Sequence, residues 1–151
     1  MCSKQNKSNI MSRNIPGESQ TTSKEYYDIN GHRVHEVYVD GELAERTQYD
    51  SKDQMVEVLI PGEERTTYTY DRNGDEIETH QYFIGEDGVE EHVYQGFKKY
   101  DEEGRLIEYV YDNLYDGHFR YTYKYQEFEG KILKKEYDES GELVDVELVI
   151  C

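Results

Sequence analysis

From Lys24 onward apolar and polar residues alternate with a period of two, and the rhythm holds almost to the end of the chain. Side chains spaced this way stand on opposite faces of a β-strand. Tyr121, Tyr123 and Tyr125 share one side, with Arg120, Thr122 and Lys124 on the other. Val56, Val58 and Ile60 line one face of an earlier segment opposite Glu57, and Tyr68 and Tyr70 face away from Thr67 and Thr69. The runs are rich in β-branched and aromatic residues, which suit a pleated surface. No window carries the i, i+3, i+4, i+7 stripe of an amphipathic helix. The pattern predicts strands over residues 24–28, 33–40, 43–49, 54–60, 64–70, 76–84, 89–100, 105–112, 118–128, 131–138 and 142–150.

Between strands one signature recurs: tyrosine, aspartate, two polar residues, glycine, then an aliphatic start to the next strand. It is written at Tyr27-Asp28, Tyr70-Asp71, Tyr100-Asp101 and Tyr137-Asp138, with Gly31, Gly74, Gly104 and Gly141 three places after each Asp. Looser relatives are Tyr49-Asp50, where Asp53 stands in place of the glycine, and Tyr111-Asp112. An Asp opening a type I turn accepts hydrogen bonds from backbone N–H groups just ahead of it. The Gly supplies the left-handed conformation that returns the chain to an antiparallel strand through a bulge. A calcium loop is the alternative for Asp71-Arg72-Asn73-Gly74-Asp75, but its Gly falls two places early for an EF-hand-type loop.

Asp40-Gly41 reads as a tight hairpin, and Pro61-Gly62, Glu86-Asp87-Gly88, Asp116-Gly117 and Glu129-Gly130 mark further turns. The economical topology is an all-β antiparallel meander of about ten or eleven strands in one sheet. With no helix to cover an apolar face, that sheet is expected to be strongly curved or rolled. Residues 1–23 are polar and aperiodic and read as a disordered tail or tether, leaving 24–151 as the β-repeat domain.

Composition adjusts this picture. Leu, Ile, Val and Phe make up roughly one residue in five and the net charge is −17, which borders on the composition of disordered chains. The 16 tyrosines restore a core, because each buries a large ring and keeps its hydroxyl wet. Residues 1–24 hold Lys4, Lys7, Arg13 and Lys24 against Glu18, so the acid excess belongs to the β domain. Such a surface repels nucleic acid and anionic membranes and attracts basic partners. No apolar run is long enough for a membrane span.

Cys2 and Cys151 sit at opposite ends, which gives no disulfide framework and favours a reducing, cytoplasmic home. Cys2-Ser3 ahead of a Lys/Asn/Ser/Gln stretch looks like the mature start of a bacterial lipoprotein. On that alternative Cys2 carries a lipid anchor and the protein sits on the cell surface.

The Tyr-Asp-x-x-Gly-x-aliphatic copies resemble the YD (RHS) repeat of bacterial polymorphic toxin shells and the variant MORN-type repeats of small bacterial proteins. The resemblance spans roughly residues 26–150. Some of those small proteins act as antitoxin or immunity partners, so the resemblance implies a binding role. The spacing departs from a regular solenoid, since Tyr70 and Tyr100 lie further apart than Tyr27, Tyr49 and Tyr70 do.

Chemistry is sparse. His32 and His118 fall in or beside turns, and His35, His80 and His92 are isolated strand positions without zinc spacing. There is no GxSxG, P-loop or dinucleotide fingerprint, so no enzyme, cofactor or metal is indicated. The tyrosine stripes are either cross-strand packing or a binding surface. The expected function is a non-catalytic protein-binding module, an immunity or antitoxin protein that neutralises a basic toxin domain. The residues expected to carry it are Tyr109, Tyr111, Tyr121, Tyr123 and Tyr125 with Glu90, Glu91, Glu102 and Glu103. The alternative is a lipid-anchored or secreted surface protein that binds cell-wall, carbohydrate or adhesion partners.

Overall fold

The computed structural model describes residues 19–149. Cys2, Cys151 and most of the proposed tail lie outside the described residues. Eleven strands follow in chain order: β1 (Thr21–Tyr27), β2 (Arg33–Val39), β3 (Glu42–Tyr49), β4 (Met55–Ile60), β5 (Glu64–Tyr70), β6 (Glu76–Ile84), β7 (Glu90–Tyr100), β8 (Leu106–Asn113), β9 (Gly117–Phe128), β10 (Lys131–Tyr137) and β11 (Leu143–Val149). They form one antiparallel sheet in the order of the sequence. The sheet is not closed, and among the described residues no helix forms. The first strand starts at Thr21 rather than within the expected 24–28. Thr21 and Thr22 pair with Val39 and Tyr38. Gln20 and Asp40 exchange hydrogen bonds just beyond them.

The signature turns are nearly copies of one another. In each, the Asp Oδ1 accepts the N–H of the residue two ahead and of the residue four ahead: Asn30 and His32 at Asp28, Lys52 and Gln54 at Asp50, Asn73 and Asp75 at Asp71, Glu103 and Arg105 at Asp101, Ser140 and Glu142 at Asp138. The residue between them is left-handed, with φ of 82° at Gly74 and 78° at Gly104. Asp53 occupies that slot in the copy without glycine, at φ 62°. The Asp28, Asp50, Asp71 and Asp101 turns close β1–β2, β3–β4, β5–β6 and β7–β8 and so share one end of the sheet. The Asp138 turn closes β10–β11 and lies at the other end. Tyr111-Asp112 opens no turn: both residues lie inside β8.

Tyrosine marks the irregularities. The six register shifts fall beside Tyr38, Tyr49, Tyr70, Tyr82, Tyr100 and Tyr137. At four of them the residue left over on the facing strand is Val56, Ile77, Ile107 or Val144, the aliphatic that follows the turn. Two of these tyrosines also reach back to the start of the preceding strand. Tyr70 donates to the carbonyl of Met55 at 2.6 Å and Tyr100 to that of Glu76 at 2.9 Å.

Burial is thin, because neither face has a second layer to pack on. Val34, Val93 and Tyr123 form the core, together with the polar Glu36 and Thr47. Glu36 is covered by its own partners. Arg46 donates to one carboxylate oxygen at 2.9 Å, while the Tyr38 hydroxyl at 3.1 Å and Lys24 at 3.6 Å meet the other. Burial alone would raise this carboxyl; the Arg46 and Tyr38 hydrogen bonds outweigh it and hold it below its ordinary range. Elsewhere long cationic side chains lie flat on rings, with Arg33 3.7 Å from Tyr49 and Arg65 4.4 Å from Tyr82.

Candidate protein-binding surface

The expected tyrosines come together. β7, β8 and β9 set Gly96 opposite Tyr111, Lys98 opposite Tyr109, Tyr109 opposite Tyr121, and Tyr111 opposite Phe119. Directly paired residues point to one face. Tyr111 stacks on Phe119 at 5.0 Å and on Tyr121 at 6.3 Å, and tilts against Tyr109 at 5.0 Å. The Tyr94 and Tyr109 hydroxyls hydrogen-bond to each other. Tyr125 donates to the Leu106 carbonyl at 2.7 Å, and Lys98 and Lys134 lie over Tyr109 and Tyr123. Burial pushes the Tyr94 and Tyr123 phenols well above their ordinary value, with a further push from Tyr109 on Tyr94 and from Glu136 on Tyr123. Ring faces and hydroxyls are therefore largely spent within the layer.

The expected glutamates do not join it. Glu90 clasps Arg65 through two hydrogen bonds of 2.8 Å, and that guanidinium holds its carboxyl below the usual range. Glu91 pairs with Phe83 across β6 and β7. Glu102 and Glu103 sit in the Asp101 turn, at the opposite end from Glu90 and Glu91, and Glu103 meets Arg105 at 3.3 Å.

An exposed apolar cluster stands beside Glu90 and Glu91 instead. Phe83 is the last residue but one of β6, Val89 lies in the β6–β7 turn, and Leu114 and Tyr115 form the tip of the β8–β9 turn. Their exposures are 38%, 64%, 56% and 70%, and the Phe83 and Tyr115 rings sit 6.5 Å apart. Backbone bonds tie turns to the neighbouring strands: Ile84 of β6 donates to the Glu63 carbonyl in the β4–β5 turn, and Leu114 to that of Val93 in β7, both at 2.9 Å. Glu63, Asp87, Glu90 and Glu91 line the adjoining groove. Residues 61–64, 85–91 and 113–117 contain no Lys or Arg. This is an aromatic and aliphatic knob among carboxylates, one of which, Glu90, is paired with Arg65. It was readable only as apolar residues standing in turns, where polar ones are the rule.

Two histidines expected to be isolated are neighbours. His80 Nδ1 lies 3.0 Å from His92 Nε2, and its other nitrogen 2.5 Å from Glu78. His118 Nδ1 contacts Asp112 at 2.6 Å, and Gln95 donates to the second Asp112 oxygen at 2.9 Å. The Gln95 bond first, and His118 after it, hold the Asp112 carboxyl below its ordinary range. Among the described residues no group of three or more His, Cys, Asp or Glu side chains converges as a metal site. No protein-family model matches the chain, and no curated protein matches it.

Proposed function

We propose that the chain is a non-catalytic protein-binding module for a basic protein domain. The observation that carries this is the exposed Phe83–Tyr115 pair, with Val89 and Leu114, set among Glu63, Asp87, Glu91 and Asp116, where the nearby Arg65 guanidinium is already held by Glu57 and Glu90. Exposed aromatics ringed by polar residues are the usual anchors of protein interfaces. The acidic setting selects a cationic partner and speeds the encounter. The tyrosine layer of β7–β9 keeps the hairpin tips in a fixed relation, so little ordering cost falls on binding. The resemblance to YD and MORN-type repeats supports the finer reading, an immunity or antitoxin protein that masks a basic toxin domain.

The test is calorimetric titration with purified basic toxin domains at two ionic strengths. The reading expects one of them to bind, more weakly at high salt, and expects Tyr115→Ala to weaken binding by about 2 kcal/mol or more. Binding that ignores both salt and the Phe83→Ala/Tyr115→Ala pair would remove the proposal. Saturable binding of cell-wall glycan in place of any protein would replace it.

A further inference from the structure

The pairing of β6 with β7 sets Tyr82 opposite His92, and His80 stands two residues from Tyr82 on the same face. His80 faces Gln95 while the next residue, Gly96, faces Tyr111, so the histidines occupy the side of the sheet away from the tyrosine layer. Aromatic neighbours hold both imidazoles. Tyr82 stacks on His92 at 4.8 Å, Phe97 stands perpendicular to His80 at 6.0 Å, and the two imidazole rings lie 5.1 Å apart. His92 is exposed, so the pair is open to solvent.

Glu78 fixes where the protons sit. Its carboxylate lies 2.5 Å from His80 Nε2 and accepts the proton there, which leaves Nδ1 as a bare lone pair. That lone pair is 3.0 Å from His92 Nε2. The gap therefore holds the His92 proton, or, with that proton moved to His92 Nδ1, a cation shared by two nitrogens. A carboxylate behind one imidazole and a free lone pair in front is how proteins orient histidine toward a metal. The spacing fits as well. Two nitrogens bonded to a metal at about 2.0 Å stand roughly 2.8 Å apart at a right angle and roughly 3.3 Å apart in a tetrahedron. Imidazole donors bind Cu²⁺ most tightly among the divalent first-row ions, and a net charge of −17 draws cations to the chain. His118 offers no such pair, because its two nitrogens face the carboxylates of Asp112 and Glu139.

We propose that His80 Nδ1 and His92 Nε2 form an open two-nitrogen site for Cu²⁺, with Glu78 orienting His80 from behind. The remaining coordination positions belong to water. Two protein ligands make an exchangeable site, in contrast to the four that close a structural one. The site does not depend on the Phe83–Tyr115 cluster.

The test adds Cu²⁺ to the full chain carrying Cys2→Ser/Cys151→Ser, so that no thiol binds or reduces the ion. Electron paramagnetic resonance at one equivalent is expected to show coupling to two imidazole nitrogens. Amide signals broadened by the ion should centre on residues 78–82 and 91–93, a map that needs no further variant. His80→Ala/His92→Ala should abolish both signatures. Glu78→Gln keeps both ligands and should weaken binding roughly 10-fold, the scale for loss of an orienting carboxylate. His118→Ala should leave binding unchanged. Broadening centred on His118 or away from β6 and β7 would overturn the assignment, as would nitrogen coupling that survives in the double histidine variant. Equal affinity in Glu78→Gln would remove the orienting role of Glu78.

Discussion

The ring of Tyr94 lies across the bare backbone of Gly96, two residues further along the same face of β7. A Cβ on Gly96 would stand 2.6 Å from the Tyr94 hydroxyl and 3.3 Å from the Tyr109 ring. That clearance lets the Tyr94 and Tyr109 hydroxyls meet. Gly96→Ala should therefore cost about 1–3 kcal/mol by overpacking. Urea denaturation checks the value. The double variant with Tyr109→Phe should cost less than the two single changes together, because both lose the same hydroxyl pair.

The Asp101 turn gives a second expectation. Its carboxylate accepts two backbone N–H groups and the Arg105 guanidinium. Asp101→Ala leaves those donors to water and should cost about 2 kcal/mol, the scale of hydrogen bonds to a charged group. Thermal unfolding of the variant reads it. A change within ±0.5 kcal/mol would mean that the turn holds without its aspartate.

Glu129 predicts the opposite sign. Glu129 and Gly130 both have positive φ, 49° and 75°, as a type I′ hairpin turn requires. A glutamate gains nothing there, whereas asparagine adopts that region readily. Glu129→Asn should stabilise the protein by about 0.5–1 kcal/mol, seen as a raised midpoint in urea with an unchanged slope.

Alkali should loosen the sheet. Burial first, with Asp75 and Glu76 after it, pushes the Tyr100 phenol up to about 12, and Tyr94 and Tyr123 move the same way. An unfolded tyrosine ionises near 10, so through that window the unfolded chain releases protons that the folded chain keeps (roughly pH 10–12). Stability is intact below it and falls as pH rises. Melting temperature against pH should be flat to about 9.5 and then drop, less steeply in Tyr100→Phe. At the acid end the sign reverses. Asp138 is held low by Ser140 and the Glu142 N–H, and Glu108 by Lys99 and Arg120, so their contribution is lost as pH falls below the ordinary carboxylate range.

The acidic knob is expected to be silent in stability. Phe83 and Tyr115 face solvent, so Phe83→Ala/Tyr115→Ala should move the unfolding midpoint little while abolishing partner binding. Loss of fold in that variant would class the pair as structural.

The strands were legible because a half-buried strand must alternate, and each turn needed its own Asp or Gly. Thr21-Thr22-Ser23 escaped because an edge strand exposed on both faces has no alternation to show. Which residues meet across strands was not legible. Each bulge beside a tyrosine shifts the pairing, so the meeting of His80 with His92 depends on the shift at Tyr82, which leaves Val93 unpaired. Asp112 repeats the letters of the turn signature but lacks a glycine three places on, and the strand runs through it. The tyrosine layer was foreseen as a face. That its rings stack on one another and that the Tyr94 and Tyr109 hydroxyls meet follows from distances that a linear pattern does not contain.

Strand parity decides which rim of the sheet a given loop decorates. Two strands inserted upstream carry a loop back to the rim it left, and a single extra one hands it to the far side. The Glu129–Gly130 hairpin supplies that odd step, which is why the last Asp–Gly loop looks away from its siblings. The displayed chemistry of such a ribbon can thus be redirected from one rim to the other with no change to the loop itself.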